Sequence, residues 1–515
     1  MVSDPLHQSA TFGDLFARTV LRYTSREALV ADSKRWTYAE LGARVARMGA
    51  VLRQEGLKPG DTAAILSRNC ADVLVFYLAA MVEGLRLTPL AALSSADDQI
   101  FILNDAAIQA LVIDPSFAER IERFRAEAPV LRHVFTLGGG GTDDLSARTD
   151  TAPDTPLVPK RAEGDVTMLF YTGGTTGRPK GVAHTHNSAM ATVMMATSEW
   201  DWPSEIRVMV TTPVSHAAGA FVWPTFLKGG TFHILNGFAP ETFADYVARE
   251  RITATFLVPT AIYRLLDAPG LDDGKLRTLE TVIYGAAPMA PTRLAEGIRR
   301  FGGIFMQLYG QTEAPNLITY LGKAEHRLDD PESLSSCGVP LGAVQVALLD
   351  DRCLPVTVGE TGEICVRGAF VMKGYWNRPD ETAQAFEGGW LHTGDMGRFD
   401  GKGRLHIVDR KKDMIISGGF NVYPSEIEAV LSAHPAIASC AVVGVPDATW
   451  GEAVTAVVVA KQGQMIDKEA LRLLVRAQKG AVHTPKQVVE VRALPLTAVG
   501  KIDKKAIRAK LTSEK

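Results

Sequence analysis

Residues 171–182 read Tyr-Thr-Gly-Gly-Thr-Thr-Gly-Arg-Pro-Lys-Gly-Val, a run whose residue types suit the holding of phosphate. Gly173, Gly174 and Gly177 allow a tight turn that brings backbone N–H groups close to an anion. Thr172, Thr175 and Thr176 add hydroxyl donors and Lys180 adds a cation. The apolar run Val166 to Tyr171 ahead of it reads as a buried strand. The pattern is not a Walker A loop, because Pro179 separates the glycines from Lys180 and no Ser or Thr follows that lysine. A plain surface glycine turn is the bland alternative.

Four further segments bear on that choice. They are Tyr309-Gly310-Gln311-Thr312-Glu313, Thr393-Gly394-Asp395, the stretch from Asp409-Arg410-Lys411-Lys412 through Ser417-Gly418-Gly419 to Glu428, and Gly500-Lys501-Ile502-Asp503. Taken in order with the first run, they make the chain resemble the adenylate-forming superfamily over nearly its whole length. That superfamily holds acyl-CoA and aryl-CoA synthetases, peptide-synthetase adenylation domains and luciferases. A carboxylate is a poor electrophile, and such enzymes activate it as a mixed anhydride with AMP, releasing pyrophosphate. The site must then neutralise triphosphate charge and hold the acid in line with the α-phosphate.

The resemblance implies ATP, Mg2+ and coenzyme A as cofactors and assigns roles residue by residue. The loop Thr172, Gly173, Gly174, Thr175, Thr176, Gly177 and Lys180 would grip the β- and γ-phosphates; a Ser commonly stands where this chain has Gly173, so one hydroxyl donor is lost. Glu313 matches the Mg2+-associated glutamate and Thr312 its neighbour at the phosphate. Asp395 matches the acceptor of the ribose hydroxyls, and Arg410 the arginine at ribose or phosphate. Gly285, Ala286 and Ala287 match the small strand end against which adenine lies, although core packing alone would also select small residues. Tyr309, Gly310 and Gln311 complete the nucleotide-binding motif. Lys501 matches the lysine that sits between carboxylate and α-phosphate. Lys504, Lys505, Arg508 and Lys510 read as a solvated basic helix face. For the second half-reaction the resemblance implies rotation about a hinge at Lys412, bringing Gly418 and Gly419 to the thiol tunnel; an ordinary hairpin turn is the plain reading of that pair.

The reading implied is an ATP-dependent acid–CoA ligase. The alternatives are an acyl-AMP ligase loading a carrier protein, or a non-catalytic nucleotide-binding scaffold. Gly310 stands where acetate-selective relatives carry Trp, which suggests an open pocket. No Asp for an α-amine stands in Thr211 to His216. His216 matches a position near the acyl carboxylate, and Ala217, Ala218 and Gly219 suggest room. The expected substrate is therefore a small-molecule carboxylic acid, a medium- or long-chain fatty acid or other bulky hydrophobic acid, with an aromatic acid the close alternative.

Elements able to position these residues are legible around them. Thr37-Tyr-Ala-Glu40 is a capping box, and Leu41, Val45, Met48, Val51 and Leu52 then share one helical face. Thr62 to Leu66 reads as a strand and Asn69 to Val82 as a helix. Residues 137–165 read as a loop. Runs at Val208 to Thr211, Thr281 to Tyr284 and Phe305 to Leu308 read as strands, each just ahead of a motif, where α/β sheets bind ligands. The expected fold is α/β: a large multi-layered N-terminal domain of mostly parallel sheets, residues 1–409, a hinge at 410–412, and a small mobile α+β C-terminal domain, residues 413–515.

A chain of 515 residues exceeds one core. Its 46% hydrophobic and 22% charged content is that of a globular protein, and a net charge of −3 gives no reason to expect nucleic acid. The five scattered cysteines lack metal-ligand spacing in sequence, which favours a reduced, cytoplasmic chain. Val73 to Val82 is too short to span a bilayer. Peripheral membrane contact and a homo-oligomer stay open at this level.

Overall fold

The computed structural model describes residues 9–31, 33–139, 141–162, 166–172, 178–215, 217–447, 449–496 and 502–513. Gly173, Gly174, Thr175, Thr176, Gly177, His216 and Lys501 lie outside the described residues.

Two large sheets dominate the N-terminal part. In the seven-stranded sheet, Val166–Thr172, Arg86–Pro89, Thr62–Leu66, Ala110–Ile113 and His133–Thr136 run parallel, with Lys180–Thr185 and Gly374–Tyr375 added antiparallel at one edge. In the nine-stranded sheet, Phe305–Gln311, Thr281–Gly285, Ala254–Leu257, Arg207–Val210, Thr231–Ile234 and Glu27–Ala31 are parallel. Period-two alternation explains the layers. Ala63 and Ile65 enter a core shared with Val208 and Val210 of the other sheet, whereas Ala64 and Leu66 face a second cluster and Met209 a third. Helix Ala71–Val82 lies within the shared core with every residue buried, so its apolar run is a core helix. Among the described residues no helix is long and apolar enough to cross a membrane.

The capping box is present: Glu40 N–H donates to Thr37 Oγ1 at 3.2 Å and Thr37 N–H to Glu40 Oε2 at 2.7 Å. Such a cap stabilises its helix by about 1 kcal/mol. Two expectations are corrected. Residues 137–165 contain a helix, Leu145–Thr151, whose N-cap Asp144 accepts from Ala147 N–H at 3.1 Å and from Gly138 N–H at 3.0 Å. Seven residues with one leucine show no helical period, so only the cap could have signalled it. The strand at Phe305 runs on to Gln311, placing Tyr309 to Gln311 within it. A wholly antiparallel four-stranded sheet, Gln345–Leu349, Gly362–Arg367, Leu391–Phe399 and Leu405–Arg410, stands beside the mostly parallel ones.

After Arg410 the chain forms a fourth sheet around Ile437–Asp447 and Gly451–Ala460, with helices Pro424–Ser432, Lys468–His483 and Lys504–Ser513. Its own apolar clusters draw only on residues from Ile415 onward.

Candidate active site

Strand Val166–Thr172 turns back into Lys180–Thr185, and Thr172 and Lys180 are Cα partners across that pair. The two strands are antiparallel neighbours, and Lys180 stands at the start of the second, opposite Thr172. Lys180 Nζ stands 5.2 Å from the centroid of the Tyr375 ring, a cation–π distance. The Tyr375 hydroxyl donates to Glu313 Oε1 at 2.9 Å. Burial, then the Glu313 charge, pushes the Tyr375 phenol above its ordinary range, so it keeps the proton it donates. His184, buried on the same strand as Lys180, has Nε2 2.8 Å from the Thr312 carbonyl, and burial lowers its pKa to about 4. A neutral ring must donate Nε2–H to that carbonyl. Glu313 and Thr312 occupy the turn between Phe305–Gln311 and Ala314–Leu321, closed by the Gln311–Ala314 pair. Neither Tyr375 nor His184 stands out in sequence. Glu313 suits a hard cation: a half-buried carboxylate beside the strand pair that carries Lys180, one oxygen held by Tyr375, retains lone pairs for a metal.

Four residues back along the same hairpin, at most about 13 Å away, Tyr309 donates its hydroxyl to Asp395 Oδ2 at 2.7 Å. Asp395 is 4% exposed, and its Oδ1 lies 2.6 Å from Arg410 Nε, its cross-strand partner. A bulge within strand Leu391–Phe399 shapes Thr393–Asp395. Gly394 has a φ of 71°, its N–H donates to Glu363 Oε1 at 3.0 Å, and Asp395 N–H donates to Thr393 Oγ1 at 3.1 Å. At the neighbouring strand end, a Cβ on Gly285 would stand 2.5 Å from the Leu308 carbonyl oxygen, so strand packing selects that glycine. Ala286 is exposed and left-handed, with a φ of 65°. Core packing therefore does not select this residue, and Ala287 beside it is half-buried.

Beyond Arg410, Lys411–Asp413 forms a 3₁₀ turn. Gly418 and Gly419 have φ of 59° and 82° and join Ile415–Ser417 to Phe420–Val422, with Ser417 paired to Phe420. Positive φ at both positions is the type I′ geometry of a two-residue hairpin loop, so the plain turn reading of this pair holds. Gly418 N–H donates to the Trp450 carbonyl at 2.8 Å, and Lys486 Nζ lies 4.1 Å from the Trp450 ring centroid. The segment carrying Lys501 is pinned at its base. Leu496 and Ile502 form a bridge, and Asp503 N–H donates to the Pro495 carbonyl at 2.9 Å.

Residues 16–376 match the family model described as AMP-binding enzyme, and residues 426–501 match the AMP-binding enzyme C-terminal domain. The chain belongs to the AMP-binding enzyme family. It is 43% identical to the medium/long-chain-fatty-acid–CoA ligase FadD8 of Mycobacterium tuberculosis, covering 99% of this chain and 91% of that protein. It is 38% identical to a feruloyl-CoA synthase of Amycolatopsis, covering 92% and 93%. Among solved structures it is similar to the amide bond synthetase McbA of Marinactinospora thermotolerans, with a TM-score of 0.88, 34% identity, and coverage of 96% and 99%.

Within this family frame, two readings of the acid side need correction. A Cβ on Gly310 would overlap the Asn316 backbone nitrogen and stand 2.6 Å from the Ala314 carbonyl oxygen. This glycine answers to the bulged hairpin and does not by itself measure an open pocket. A Cβ on Gly219 would overlap the Val214 carbonyl oxygen, and Ala218 is fully buried in the core, so these two small residues answer to packing. Asn69 holds the segment leading to His216: its Nδ2 donates to the Thr212 carbonyl at 2.9 Å, and its Oδ1 accepts from Val214 N–H at 3.0 Å.

Lys504 is also not part of a solvated face. Its ammonium lies 2.7 Å from Glu428 Oε1, which also accepts from Val442 N–H at 2.7 Å. Burial works to lower the Lys504 pKa, but Glu428 and Asp409 outweigh it and keep the group charged. Lys505 and Lys510 do face solvent. The pair ties the helix after Lys501 to helix Pro424–Ser432. Glu428→Ala is expected to cost about 3 kcal/mol in urea unfolding of the C-terminal sheet, because it strands an inward-facing ammonium. Glu428→Gln, which keeps an acceptor, should cost less; equal stability of Glu428→Ala and wild type would contradict the pairing.

Proposed function

We propose that this chain is an AMP-forming acid–CoA ligase acting on a medium- or long-chain fatty acid or another bulky hydrophobic acid. One observation carries the nucleotide site: a single hairpin, Phe305–Leu321, delivers Tyr309 to the buried Asp395, itself paired with Arg410, and Glu313 to Tyr375 beside Lys180. It sets a ribose anchor and a phosphate anchor at a fixed separation. A carboxylate oxygen of the acid attacks the α-phosphorus of ATP, the bond to the β-phosphate bridge breaks, and pyrophosphate leaves. Lys180 and the loop Thr172 to Gly177 hold the departing phosphates, and Lys501 offsets charge developing at the α-phosphate. Glu313 would hold Mg2+, which neutralises phosphate oxygens when bound. The thiol sulfur of coenzyme A then attacks the acyl carbonyl, the C–O bond to AMP breaks, AMP departs, and the thiol proton passes to solvent.

The acid class rests on the name of the 43% identical relative and on the lack of an α-amine anchor in Thr211 to Val214. An aromatic acid is the second reading, supported by the feruloyl-CoA synthase likeness. The likeness to an amide bond synthetase makes the acceptor a point to test. Pyrophosphate release with fatty and aromatic acids, with and without coenzyme A, tests the reading. Turnover is expected only with acid, and acyl-CoA only with the thiol; acyl-AMP that never becomes a thioester would move the acceptor to a carrier protein or amine. We place the reaction in the cytoplasm.

The two half-reactions are assigned to a large unit, residues 1–409, and a small one, residues 413–515, turning about Lys412. Rotation would bring Gly418, Gly419 and the Trp450 ring to the thiol's path. Proline at 412 fixes its own φ and disfavours the helical region at Lys411. Lys412→Pro is therefore expected to accumulate acyl-AMP in single-turnover mixtures while Lys412→Gly does not. Normal turnover by Lys412→Pro would remove the hinge.

A further inference from the structure

Outside the nucleotide site, the four-stranded sheet gathers a second set of chemically capable side chains. Alternation along Gly362–Arg367 puts Glu363 and Cys365 on one face, and Cys365 is the direct cross-strand partner of His392. His392 Nδ1 lies 3.1 Å from Glu363 Oε2 and 3.4 Å from Cys365 Sγ, and the ligating atoms of all three lie within 4.8 Å of one another. Glu363 and Cys365 are buried. Tetrahedral zinc with ordinary Zn–N, Zn–O and Zn–S bonds places its ligand atoms about 3.3–3.6 Å apart, close to the two separations measured from His392 Nδ1.

The histidine ring is also held from its far side. His392 Nε2 lies 3.2 Å from the Glu387 carbonyl oxygen and 3.9 Å from Cys353 Sγ, so an N–H at Nε2 has an acceptor, and a ring carrying that one hydrogen offers Nδ1 toward Glu363 and Cys365. An imidazole whose far N–H donates to a backbone carbonyl is the usual outer support of a metal-bound histidine. The cation now serving Glu363 is Lys411, with Nζ 3.2 Å from Glu363 Oε2 and 2.9 Å from Asp351 Oδ1.

We propose that Glu363, Cys365 and His392 form a site for a borderline divalent cation of the Zn2+ type, and that the metal displaces Lys411 from Glu363. A carboxylate and a thiolate balance the 2+ charge, and the mixed O, S, N set selects Zn2+ over Mg2+. Binding releases the Cys365 thiol proton to solvent and leaves Lys411 with Asp351 alone. Because Lys411 adjoins Arg410 and Lys412, the metal would report directly on the segment joining the two units.

The test is calorimetric titration of the full-length protein with ZnCl2 under excess Mg2+, with Co2+ as an optical probe. Wild type is expected to bind one equivalent. Cys365→Ser and His392→Gln should each weaken binding at least about tenfold, with Cys365→Ser losing the thiolate-to-Co2+ charge-transfer band. Lys411→Met, which removes the competing ammonium, should bind several-fold tighter, and Cys353→Ser should match wild type. Circular dichroism of each variant establishes that it is folded. Unchanged affinity in folded Cys365→Ser or His392→Gln, or no binding by wild type, would overturn the site. Unchanged affinity in Lys411→Met would overturn the displacement.

Discussion

Lys501→Ala is expected to lower acyl-AMP formation by about 10²–10³-fold while largely sparing thioester formation from supplied acyl-AMP. The acid and the triphosphate are both anionic, so the in-line approach of a carboxylate oxygen to the α-phosphorus concentrates negative charge. A positioned ammonium lowers that barrier only while charge is accumulating. The second half-reaction starts from a neutral carbonyl and has no such demand. On either side of Lys501, Leu496 and Ile502 form a bridge, and Asp503 caps the following helix by accepting from Ala506 N–H at 2.9 Å. Pyrophosphate release and acyl-CoA formation from synthetic acyl-AMP, measured on one preparation, separate the two steps. Equal losses in both would contradict the role.

Asp395→Ala should be nearly as damaging, and for two reasons at once. In the proposed reading the carboxylate anchors the ribose, and in the structure it receives the Tyr309 hydroxyl and the Arg410 guanidinium. Removing it leaves the buried Tyr309 hydroxyl without that acceptor, at about 1–3 kcal/mol. Arg410 is 44% exposed on its side chain and can turn to water, so its share of the loss is small. The kcat/KM for ATP is expected to fall about a hundredfold, equivalent to about 2.7 kcal/mol. Asp395→Asn keeps the shape and one acceptor, so it should retain more stability than activity. An Asp395→Ala enzyme with normal ATP kinetics would remove Asp395 from the nucleotide site.

Local signals in the chain were strong wherever the physics is local. The capping box at Thr37 and the strands Thr62–Leu66 and Val166–Thr172 were readable because cap chemistry and strand patterning act over a few residues. Asp395, Arg410 and Glu313 are singled out by pattern alone, and the structure brings them to one hairpin and its partners: Glu313 lies on it, and Asp395 receives Tyr309 from it and pairs with Arg410. What stayed hidden depends on long-range contact. Tyr375 reaches Glu313 across 62 residues and His184 reaches Thr312 across 128, and neither has a local signature. Lys504 looked like its solvated neighbours because nothing in its own helix reveals that Glu428 lies beneath it. Gly310 and Gly219 read as pocket space because a glycine chosen for close backbone approach and one chosen for room look alike in sequence.

The most direct measurement follows oxygen. With acid carrying ¹⁸O in both carboxylate positions, one turnover with ATP, Mg2+ and coenzyme A should leave one ¹⁸O in the phosphate of AMP, because the attacking oxygen departs with the nucleotide when sulfur takes the carbonyl. Label appearing in inorganic phosphate alongside ADP, or unlabelled AMP accompanying acyl-CoA, would contradict activation through an acyl-adenylate in this site.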